Sequence, residues 1–107
     1  MSNMYDILCA SLAQEIGKDE ILCRGLLRIT VTNSVRHLQQ ISDPVRTVTE
    51  TTAYISRMGY QDWKNIIDGP RLTQILANVG VKDPPNVIAR LMQILVEQQS
   101  MFTMAAR

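Results

Sequence analysis

Aromatic side chains are scarce in this chain: one Trp, one Phe and three Tyr in 107 residues. A core built here must be aliphatic, filled out by the six methionines, whose flexible thioethers suit irregular gaps. An excess of either charge is missing too. Eleven basic and ten acidic residues leave a formal net charge of +1. That balance supplies no long-range field to gather nucleic acid or anionic lipid. Cysteine occurs twice, at Cys9 and Cys23, without CxxC spacing; one disulfide between two helices is geometrically possible, but no secretory signal supports an oxidising compartment. The opening "MSNMYDILC" carries an acid where a signal peptide has its basic start. Free buried thiols and a cytoplasmic location are therefore expected. No apolar run approaches the roughly twenty residues of a membrane-spanning helix.

Histidine is rarer still. His37 stands alone in "VRHLQQ", and a metal centre would need further ligands at suitable spacing. A Cys23–His37 nucleophile pair would span fourteen residues of one helix. At about 1.5 Å per residue that is roughly 21 Å, too far for direct proton transfer unless the chain folds back. The five glycines fall singly, and neither GxGxxG nor GxxxxGK[ST] occurs. Asp19–Glu20, Asp43 and Asp83 sit where helices should begin, where capping and dipole complementation explain them without catalysis. The expectation is a non-enzymatic chain with no catalytic residues, no cofactor and no metal.

What is present is helical punctuation. Apolar residues make up 46% and charged residues 20%, a globular balance, and the chain is read as one domain over residues 1–107. Asn3 caps a first helix that Gly17 ends, with Ile7, Leu8, Leu12 and Ile16 on one stripe. Asp43–Pro44 starts another, with Val45, Val48, Thr52, Ile55 and Met58 at helical spacing before Gly59. "YQDWKNII" makes a short helix around Trp63, Ile66 and Ile67. "PRLTQILANVG" gives one that ends at Gly80, and Asp83–Pro84–Pro85 opens the last.

One stretch reads two ways. In "GLLRITVTNSV", Leu27, Ile29 and Val31 alternate with polar residues as a strand would, yet both flanks read as helix. As a helix it carries two stripes: Leu22, Leu26 and Ile29 on one side, and Leu27, Val31, Val35, Leu38 and Ile41 nearly opposite. The strand reading needs a partner, and only "RTVTETTAY" is β-branched enough to offer one. The favoured fold is an all-α bundle of five or six helices with long second and last helices, the second either continuous or bent near Gly25 or Ile29–Asn33. The alternative is a small α+β fold with a two-stranded ribbon.

The last helix carries the widest apolar arc. Ile88, Leu91, Leu95 and Phe102 follow near-heptad steps, beside Val87 and Ile94. The helix is either central in the bundle or shared with another chain. With Val31 and Val35 of the second helix it forms the candidate interface, to which Trp63 is added as a possible anchor or as the largest piece of the core. The expected role is protein–protein association, as a homo-oligomer or with a helical partner. The alternative is a helix-turn-helix-like DNA-binding regulator over "RLTQILANVGVKDPPNVIARLM", whose reading helix would carry a single basic residue, Arg90. Ile67–Asp68–Gly69 and Val79–Gly80–Val81, followed by a long last helix, resemble cues of the sterile alpha motif over at most the last fifty residues. The interval between the two glycines is about one helical turn shorter than in that family. The resemblance implies association rather than catalysis.

Overall fold

The structure is a computed structural model that describes the backbone of residues 3–105 and the side chains of residues 3–100. Among these it holds seven helices and no strand. The α+β alternative is thereby corrected, and the helix number exceeds the expected five or six by one.

Helix α1, Met4–Ile16, starts where Asn3 accepts a 2.9 Å hydrogen bond from the Asp6 amide. It stops at Gly17, whose φ of 65° lies in the left-handed region that a Cβ disfavours. Helix α2, Glu20–Ser34, is capped by Asp19, which accepts from the Ile21 amide at 2.8 Å.

The β-branched run stays helical throughout α2. Thr30 donates to the Leu26 carbonyl at 2.7 Å, Thr32 to Arg28 at 3.0 Å and Ser34 to Thr30 at 2.7 Å. Each hydroxyl is satisfied one turn back on its own helix, so Thr30 lies fully buried with no unmet polar atom. Tertiary burial of Leu26, Leu27 and Val31 overrides the local β preference.

Of the two readings, continuous or bent at Gly25 or Ile29–Asn33, the continuous one holds: α2 runs unbroken to Ser34, and the break comes at Val35. There the backbone turns extended, with φ −108° and ψ 117°, and separates a one-turn helix α3, Arg36–Gln39. Asn33 and Ser34 are weak helix formers immediately before this point. The Gln39 side-chain amide then donates to the Asn33 carbonyl at 2.5 Å, occupying an acceptor that the broken helix leaves open. The turn returns Leu38 to the core, where it is buried. This break is the source of the extra helix.

Helix α4, Pro44–Arg57, opens on Asp43, which accepts from the Val45 amide at 3.0 Å, with proline at the first helical position. Helix α5, Tyr60–Asp68, begins as the Asp62 carboxylate accepts from the Gly59 amide. Helix α6, Pro70–Asn78, ends in a turn where Gly80 has φ 89° and the Val81 amide donates back to Leu76. Helix α7, Pro84–Ala105, is the longest at 22 residues, and α2 follows at 15, as expected.

Helices α1, α5 and α6 each pack against both α2 and α7, forming the layer between the two long helices. Leu8, Leu12, Leu27, Trp63, Leu76 and Leu91 meet in that layer. Helix α7 is thus central in the bundle. Helix α4 leans mainly on α2 and α3 and buries only Thr51 and Ile55. Its contact with α2 includes a hydroxyl pair, Thr32 to Thr51, at 2.9 Å.

Gly25 sits inside α2, and a Cβ there would meet no atom within 4 Å. Nothing in the fold of one chain calls for its missing side chain. Gly25→Ala should therefore raise stability by about 0.5–1 kcal/mol through helix propensity and a less entropic unfolded state. Urea denaturation checks this; a destabilised variant would place an unseen contact at the position.

Candidate functional site

Two features concentrate chemistry or exposed apolar surface. The first lies where α1, α2 and α5 meet. The Tyr5 ring stacks on Trp63 with centroids 5.8 Å apart and planes 12° from parallel. The Tyr5 hydroxyl donates to the Arg24 carbonyl at 2.8 Å, and the Arg24 guanidinium lies 5.3 Å from the Tyr5 ring centroid. Arg24 also donates to Asp6 at 2.8 Å and lies 3.6 Å from Glu20. That hydrogen bond to Arg24 holds the Asp6 carboxyl below its ordinary range.

Beneath the aromatic pair, Cys9 is fully buried, and burial pushes its thiol from 9.0 up to about 12. Burial, with Cys9 beside it, also raises the Tyr5 phenol from 10.0 to about 12. Cys23 is buried as well and shifted upward by the same cause. Both cysteines are free thiols. At neutral pH these groups are protonated, and the cluster works as packing: an aromatic stack, a shielded thiol and an ion pair that pins α1 to α2. His37 is exposed on α3, its ring 5.7 Å from that of Tyr54, while Cys23 faces the core from α2. Among the described residues, no group of three or more His, Cys, Asp or Glu side chains is placed to hold a metal ion.

The raised values fix a pH dependence. Below pH 9 both folded and unfolded chains keep the Cys9 proton, so the group leaves stability unchanged. Above it the unfolded chain ionises first, so stability should fall with pH between about 9 and 12, with Tyr5 adding to the slope above about 10. Urea denaturation at a series of alkaline pH values reads this out. Cys9→Ala should flatten the first part of the decline, and a level profile from pH 9 to 11 would contradict the assignment.

The second feature is an apolar face. Of the residues expected at an interface, Leu91, Leu95 and Val31 are 0% exposed and Trp63 is 1% exposed, all within the chain's own core. Ile88 and Val35 are half-buried against that core. The Phe102 side chain lies outside the described residues. The structure gathers these positions as packing around α7 and α2, because three helices close over α7 and draw in its wide arc. Among the described residues, the large aliphatic side chains that stand exposed are instead Ile21 (79%), Leu22 (42%) and Ile29 (45%) on α2, Val45 (75%) and Val48 (44%) on α4, and Val96 (50%) on α7.

Leu22 and Ile29 belong to the first of the two α2 stripes read from the sequence, whose third member, Leu26, is buried. The opposite stripe, Leu27 and Val31, faces the core. Leu22, Gly25 and Ile29 fall three and four residues apart and share the outward side of α2. Ile21, Val45 and Val48 were missed as surface positions. Val45 and Val48 lie at the start of the stripe read at helical spacing on α4, of which only the end near Ile55 is covered by the chain's own core.

Helix α7 offers Arg90 as its one basic residue, and Arg90 donates to Glu15 at 3.3 Å and to Gln93 at 3.0 Å. The helix that follows the α6–α7 turn buries Val87, Leu91 and Leu95 in the core. No helix among the described residues is long and apolar enough to cross a membrane. No protein family, curated protein or solved structure matches the chain.

Proposed function

We propose that the chain acts by protein–protein association, with a second copy of itself as the partner, through the outward side of α2. The observation that carries this reading is the exposed pair Leu22 and Ile29 flanking Gly25, a glycine whose missing side chain the single chain does not use. Two α2 helices crossing antiparallel at Gly25 would bring their backbones close and set Leu22 of each copy beside Ile29 of the other. That is the self-complementary pattern a two-fold interface requires. Ile21 on α2, and Val45 and Val48 on α4, which packs against α2, are exposed apolar side chains as well. Arg24 is already paired with Asp6 and Glu20, so its charge is largely met within the chain.

Light scattering and sedimentation at high micromolar concentration test the reading. The unaltered chain should be dimeric, with a melt that rises with protein concentration, and Ile29→Asp should be monomeric and still fold cooperatively, with a melt independent of concentration. Gly25→Ala separates the two roles of that position: the fold should gain stability while association weakens. A monomeric unaltered chain, or an Ile29→Asp variant that still dimerises, would overturn the proposal.

A further inference from the structure

We draw no further inference here: the strongest candidate, the cleft of about 340 Å³ that Met4, Met58 and Tyr60 line between the start of α1, the α4–α5 junction and Gln99 of α7, carries nothing because nothing in the structure shows what covers it.

Discussion

Trp63→Ala should lower stability by about 3–5 kcal/mol, the range for removing a large buried aromatic side chain. Trp63 is 1% exposed and is the largest of the fully buried side chains. Its loss would leave a cavity among α5, α7 and α2 and deprive Tyr5 of its stacking partner. A domain of this size has about 5–15 kcal/mol of stability in total, so the variant should sit near the edge of folding. The melting temperature should fall by about 15 °C or more. Far-ultraviolet circular dichroism is the readout, since the substitution removes the chain's one tryptophan and its fluorescence. Trp63→Phe, which keeps an aromatic ring against Tyr5, should recover most of the loss. A cost for Trp63→Ala below about 1 kcal/mol would mean that the side chain is not packed as described.

The second large effect concerns the thiols. With the Cys9 value lifted from 9.0 to about 12, the thiolate fraction at neutral pH drops roughly a thousandfold relative to the unfolded chain. Iodoacetamide should therefore alkylate Cys9 at least about a thousand times more slowly in the native protein than in urea. Labelling should proceed only as fast as the fold opens. Peptide mapping by mass spectrometry distinguishes Cys9 from Cys23, which should also be protected. Fast labelling of either cysteine in the native state would point to an activated thiol and favour an enzymatic reading.

Much of the helical framework was legible because it rests on local chemistry. Asn3, Asp19, Asp43 and Pro44 announce helix starts by side-chain capping or a fixed φ, and Gly17 and Gly80 announce ends by their left-handed backbone. The break at Val35 was not legible. It depends on Leu38 reaching the core and on Gln39 reaching the Asn33 carbonyl, and neither is visible in a propensity or a period. The outward stripe of α2 was half legible. Periodicity shows two apolar sides on that helix, but which side the bundle covers is decided by where α1 and α6 dock. Periodicity also marks the breadth of the α7 arc without saying that α1, α5 and α6 fill it. The Tyr5–Trp63–Arg24 cluster joins residues distant in sequence and has no local signature at all.

The back-bonded hydroxyls of α2 have a consequence for how the chain acquires its shape. Residues 29–32, Ile-Thr-Val-Thr, would favour extended conformations on their own, and a fifteen-residue helix is marginal in water even with better formers. Coiling of this segment and its docking against α1 and α6 are therefore a single event. Any loosening of the bundle that strips away those neighbours returns a β-prone stretch to solvent, so the segment that the bundle holds helical is also a hazard for misassembly.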